Sequence, residues 1–167
     1  LMQALHELRT QIISPMTDEL KTDKEEDADE LFQQHIEAQC KRLRILGFTG
    51  TPIIRGNLNA MDKSLLPSLQ TVCTEILNNI AKHGKPGAFA FILSVGPDAV
   101  RIFASNLYNA AINSAPENHY GTALIQDFAQ QHNGTMTINS ENEEWSLSLT
   151  IPLAHQVKLM FSPTEKL

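Results

Sequence analysis

Glu75, Asn79 and His83 recur at steps of four, with Lys82 just before the histidine, inside a run of apolar residues at helical spacing. Four residues advance a helix by only about 40° past a full turn, so these polar groups form one stripe. The stripe borders an apolar face made by Leu69, Val72, Cys73, Ile76 and Ile80. A carboxylate, a carboxamide and an imidazole held beside a core face suit a polyphosphate with its Mg²⁺. That hard ion takes a few protein oxygens and keeps phosphate and water for the rest. Spacing alone fits equally well an amphipathic helix whose polar side happens to carry these residues.

The elements that position the stripe are legible around it. Leu1, Leu5, Leu8 and Ile12 fall at helical spacing, so a first helix runs to about Leu20, with Pro15 kinking it. Thr22-Asp23-Lys24-Glu25-Glu26-Asp27 reads as a solvated turn, or as a helix start with acidic residues in its first turn. A second helix spans about Ala28 to Leu46, with Phe32, Ile36, Cys40, Leu43 and Leu46 on one face and Gly47 as its stop. Two such helices form a hairpin whose apolar stripes have no other cover, which predicts pairing with a second copy into a four-helix bundle. Beyond it, Thr51 to Leu58 reads as a strand, and 88–95 and 99–104 as paired strands around Gly96-Pro97-Asp98. His132-Asn133-Gly134 ends a later helix through a left-handed cap. Thr135–Ser140 and Trp145–Pro152 alternate as strands. The expected class is α+β, with a helical hairpin at 1–47, an α/β sandwich at 48–155 and a tail at 156–167.

With 167 residues and 42% hydrophobic content, the chain has material for one sizeable core and a small appendage. No apolar run reaches the roughly 18 residues of a membrane helix, and no signal peptide opens the chain, so a cytoplasmic place with no membrane contact is expected. A net charge of −6 argues against nucleic-acid binding, which needs clustered positive charge. Cys40 and Cys73 lack metal-ligand spacing and read as buried thiols of a reducing compartment. The chain opens on Leu rather than Met, which reads as a trimmed piece whose sensing part lies upstream.

The segment from Glu75 to His83 resembles the N-box of the ATPase superfamily shared by histidine kinases, gyrase-type topoisomerases and related chaperone and mismatch-repair ATPases. It is most similar to that of bacterial sensor histidine kinases. The resemblance implies a Bergerat-type sandwich with a mixed sheet, ATP and Mg²⁺ as cofactors, and Asn79 as the metal ligand. It implies that Glu75, Asn79, Lys82 and His83 line the nucleotide. Gly121-Thr122-Ala123-Leu124 resembles the glycine segment that follows the ATP lid, with Ala123 in place of the second glycine. By resemblance, Gly121, Thr122 and Ala123 meet phosphate at a glycine turn into a helix. The closing Ile151-Pro152-Leu153 also matches the family.

Within the first helix, Leu5-His6-Glu7-Leu8-Arg9-Thr10-Gln11 resembles the phosphoacceptor box of the same kinases, with Gln11 where a proline is usual. The resemblance implies that His6 is phosphorylated, that Glu7 accepts the imidazole proton, and that Thr10 or Gln11 orients water to dephosphorylate a partner regulator. An adjacent carboxylate raises imidazole nucleophilicity and fixes its tautomer, so the chemistry is sound. A lone surface histidine on a helix is the plainer alternative.

One box departs from the family. Where D-x-G-x-G stands in the kinases, this chain has Ser105-Asn106-Leu107-Tyr108-Asn109-Ala110. Asn106 matches the Asp that holds adenine, with a carboxamide oxygen able to accept from the N6 amine. Tyr108 and Ala110 replace both glycines. Asn113–Tyr120 takes the place of the ATP lid and carries no Lys or Arg; His119 and Tyr120 read as ordinary loop residues. His35, His132 and His155 read as surface or cap residues, His132 favoured by the helix dipole when protonated.

The expectation is thus a two-component histidine-kinase core. Mg-ATP phosphorylates His6, and the phosphoryl group passes to an Asp of a response-regulator receiver domain, the chain acting as a homodimer. Two alternatives stay open: a histidine phosphotransferase with a relic nucleotide pocket, and a non-catalytic interaction dimer.

Overall fold

A computed structural model describes residues 17–109 and 120–153, with side chains from 28 to 109 and from 122 to 153. His6, Glu7, Thr10 and Gln11, nearly all of the expected first helix, and the tail at 156–167 lie outside the described residues.

The first described element, α1 (Thr17–Ile45), is one continuous helix. The charged stretch 22–27, expected as a turn or a helix start, is therefore interior to it. Between Thr17 and Ile45 there is neither Gly nor Pro, so nothing in the chain obliges a break. The helix ends as the sequence predicts. Gly47 takes φ +98, and the Phe48 N–H bonds back to the Leu43 carbonyl at 3.0 Å. This is a Schellman cap whose two apolar flanks, Leu43 and Phe48, are both buried.

Next come β1 (Ile53–Gly56), a short 3₁₀ turn at Leu58–Ala60, α2 (Leu65–His83), β2 (Gly84–Val95) and β3 (Ala99–Tyr108). After the undescribed stretch follow α3 (Tyr120–Gln131), β4 (Thr135–Glu141) and β5 (Glu144–Pro152). The strands form one five-stranded sheet in the order β1-β2-β3-β5-β4. β1 is parallel to β2 and the other pairs are antiparallel, so the sheet is mixed, as expected.

Alternation carries the core. Phe91, Ala104, Leu147 and Ile138 align in one row across four strands, and Leu93, Ile102, Leu149 and Met136 in the next. Successive residues of a strand point to opposite faces, so these rows form the inner face, and the helices pack on it. The β4–β5 hairpin closes at Asn142 and Glu143, both at positive φ, the backbone that a two-residue primed turn demands.

Most of the apolar stripe of α1 is covered within the chain. Phe32, Ile36, Cys40 and Leu43 are buried in the same core as α2 and the sheet, whereas Leu46 at the end of the stripe is 50% exposed. Burying each large member is worth about 1.5–3 kcal/mol. The expectation of an uncovered stripe is corrected here: α2 is the cover, and residues 28–47 share one core with 48–153. Polar contacts run alongside. His35 Nε2 lies 2.8 Å from Thr74 Oγ1, Thr74 donates to the Gln70 carbonyl at 2.8 Å, and Arg42 donates to Asn78 Oδ1 at 3.3 Å. Because the Thr74 hydroxyl proton is spent on Gln70, His35 donates and is protonated at Nε2. His35, read from sequence as a surface or cap residue, is half-buried and joins two helices. The paired numbers rise together, so α1 and α2 run parallel.

Candidate functional site

The site is built on α2. Its apolar positions Leu69, Val72, Cys73, Ile76 and Ile80 are buried in the core shared with the sheet and α1, and the stripe of Glu75, Asn79, Lys82 and His83 adjoins that buried face. Glu75 and His83 are half-buried, Lys82 is exposed, and Asn79 is only 7% exposed. The Asn79 amide nitrogen has no hydrogen-bond partner. A buried polar group left unpaired costs about 1–3 kcal/mol. Such an orphan points to a partner that the described residues do not supply.

The helix feeds the sheet without a loop. Gly84 caps α2 in extended backbone, its N–H bonding to the Ile80 carbonyl, and is also the first residue of β2. There it pairs with Tyr108 of β3. This brings Asn106 to the end of α2: a Cβ at position 84 would overlap both the Asn106 amide nitrogen and the Ile80 carbonyl oxygen. Asn106 is buried on the inner face, between Phe89 and Trp145 in register. Its amide nitrogen donates to the Leu107 carbonyl at 2.9 Å, which leaves the carboxamide oxygen as the acceptor.

Two expectations change at this point. The paired strands do not stop at 104; β3 continues through Tyr108, so Asn106 sits on a strand rather than in a glycine loop. The close approach expected from the missing glycines is supplied from across the ladder by Gly84. Sequence reading passed over Gly84, although a glycine directly after the last stripe residue was the available signal.

On the other side, α3 lies across the first half of α2. A cavity of about 440 Å³ between them is lined by Ser68, Thr71, Val72, Leu124, Asp127, Phe128 and Gln131. The cavity lies toward the start of α2 from the stripe, and its lining does not include Glu75, Asn79, Lys82 or His83. α3 begins at Tyr120, which places Gly121 inside the first helical turn rather than in a turn before it. Thr122 is half-buried and Ala123 exposed. At its far end Asn133 takes φ 55 and Gly134 N–H bonds to the Ala129 carbonyl at 2.7 Å, the left-handed cap that Asn-Gly predicts. His132 packs its ring against Phe128, centroids 4.6 Å apart. The lid segment, apart from Tyr120, lies outside the described residues, as do Ala110 and His155.

No three His, Cys, Asp or Glu side chains converge as a metal cluster among the described residues. Cys40 and Cys73 are free and buried, as expected. Burial, then the Glu37 carboxylate, push the Cys40 thiol up to about 12 against the pull of Arg44. Burial, with Cys40 nearby, raises Cys73 as well. No helix among the described residues is long and apolar enough to cross a membrane.

A mixed five-stranded sheet with helices on one face is the fold shared with histidine-kinase catalytic domains. The nucleotide-free catalytic domain of histidine kinase ThkA is similar over 75% of this chain and 93% of its own, with 11% identity and a TM-score of 0.55. Histidine kinase AdeS of Acinetobacter baumannii is similar over 77% of this chain and 64% of its own, with 10% identity and a TM-score of 0.55. For the blue-light activated histidine kinase of Erythrobacter litoralis the shares are 72% and 41%, with 11% identity and a TM-score of 0.53. The likeness is one of fold. No protein-family model matches the chain, and no curated protein matches it.

Proposed function

We propose that this chain is a two-component histidine-kinase core that binds Mg-ATP along the α2 stripe. The observation that carries the reading is Asn79, a carboxamide only 7% exposed at the family's metal-ligand position, whose unpartnered amide nitrogen is a donor suited to a phosphate oxygen. Bound Mg-ATP would supply the γ-phosphoryl group and the cation that neutralises it. Asn79 would give its carboxamide oxygen to Mg²⁺, with Glu75 beside it to hold coordinated water. Lys82 and His83 would face phosphate, and the first turn of α3 at Gly121, Thr122 and Ala123 offers a helix N-terminus to an anion. The Asn106 carboxamide oxygen would accept from the adenine amine.

His6 would take the phosphoryl group on its imidazole while Glu7 accepts the ring proton, and Thr10 or Gln11 would position water for the reverse signal. From His6 the group would pass to an aspartate of a receiver domain, in the cytoplasm. A homodimer stays part of this reading only through the first helix, because the α1 stripe is covered within the chain.

One observation favours a second reading, a phosphotransferase with a relic pocket. Asn106 lies in a regular strand, with Tyr108 in place of a glycine. Calorimetric titration with ADP and a non-hydrolysable ATP analogue, with and without Mg²⁺, separates the two. Micromolar, Mg²⁺-dependent binding supports the kinase. No binding at millimolar nucleotide leaves His6 as a relay station charged from a phosphorylated receiver domain.

A further inference from the structure

The stripe is short of positive charge for the ligand it is proposed to hold. A nucleoside triphosphate carries more negative charge than one Mg²⁺ neutralises. The stripe also runs toward the C-terminal end of α2, where the helix dipole is negative and disfavours an anion. The lid segment contains no Lys or Arg, and α3 has no basic residue in its last turn. Within α2 only Lys82 and His83 offset this, in its last turn.

A further cation comes from α1. Arg42 donates through Nη2 to Asn78 Oδ1 at 3.3 Å. Asn78 is one residue from Asn79, about 100° round the helix from it, so it borders the stripe on the α1 side. It lies three residues after Glu75 and four before Lys82, spacings that make side chains neighbours on a helix. Arg42 is exposed and makes this one hydrogen bond among the described residues, so most of its five donors remain for a planar, bidentate oxyanion partner. Its neighbour Arg44 is different, being committed to the Gly50 carbonyl and to Glu37. Arg42 is also held in place: it shares a flank of α1 with His35, two turns earlier, and both lean on α2 through hydrogen bonds.

We infer that Arg42 reads the terminal phosphates of the bound nucleotide, a role that rests on the Mg-ATP reading above. A phosphate-binding cation additional to Lys82 thus comes from the helix preceding the sheet instead of from the lid, and it links nucleotide occupancy to the seating of α1 on α2.

The test is calorimetry on the full chain and on R42A and R42K, with AMP, ADP and a non-hydrolysable ATP analogue in Mg²⁺. R42A is expected to weaken the triphosphate analogue about tenfold or more while leaving AMP unchanged, and R42K to recover part of the loss. An unchanged preference for triphosphate over AMP in R42A overturns the assignment, as does an equal loss for all three nucleotides, which is what a structural role would give. If the unsubstituted chain binds none of them, the nucleotide reading falls and the Arg42 role with it. Binding by the unsubstituted chain with R42A indistinguishable from it removes only the Arg42 role.

Discussion

Gly84, which pairs with Tyr108 at the start of the β2–β3 ladder, lies so close to the Asn106 side chain that position 84 has no room for a methyl group. The backbone at Gly84 is ordinary, φ −75 and ψ 156, so the constraint is steric and not conformational. Gly84→Ala should destabilise the chain by about 1–3 kcal/mol, read by urea denaturation, because the Ile80 carbonyl cannot swing away. If the nucleotide reading holds, it should also weaken adenine nucleotides while sparing inorganic polyphosphate.

Asn79→Ala should dissociate function from stability. Removing a buried amide whose nitrogen has no partner relieves an unpaired donor, so the unfolding free energy should stay within about 1 kcal/mol of the parent. Mg²⁺-dependent nucleotide binding and phosphorylation of His6 should vanish. Phosphorylation retained in that variant would sink the metal assignment.

The covered stripe of α1 gives a third expectation. Ile36 is fully buried, so Ile36→Ala should cost about 2–5 kcal/mol. The loss should be the same at every protein concentration, since the cover is α2 of the same chain. A thermal midpoint that rises with concentration, and does so less in Ile36→Ala, would show the stripe shared between copies.

The thiols predict a pH dependence. Cys40 is raised from 9.0 to about 12 when folded, so the folded state holds its proton longer than the unfolded one. That contribution to stability is complete below the ordinary value and is lost as pH climbs through the window from 9.0 to about 12. Accordingly, neither cysteine should react with a thiol reagent at pH 8 in native conditions, and both should react in denaturant. Fast native labelling would contradict the buried packing.

Glu143 holds φ 62 at the β4–β5 turn, a conformation that costs a side-chain-bearing residue about 1–2 kcal/mol. Glu143→Gly should therefore raise the thermal midpoint, unlike most glycine substitutions.

Much of the fold was legible because periodicity and turn chemistry are local. The α2 stripe, the two hairpins, the Gly47 cap and the Asn133 left-handed cap all follow from residues within a turn or two of one another. The errors arose where a local rule had two solutions. Residues 22–27 are polar enough for a turn, yet they contain no breaker, and the helix runs through them. Residues 105–108 stand where the resemblance places a glycine box, but backbone pairing of Asn106 with Phe89 and Trp145 extends the strand through them.

The sequence by itself determined most of the element types and the polar stripe on α2, since each depends on spacing along one element. Only the tertiary structure decided that α2 covers the α1 stripe, that Gly84 makes room for Asn106, and that Arg42 lies beside Asn78. Those relationships join residues distant in the chain, and their partners are chosen by which surfaces can be buried together rather than by any pattern within one segment.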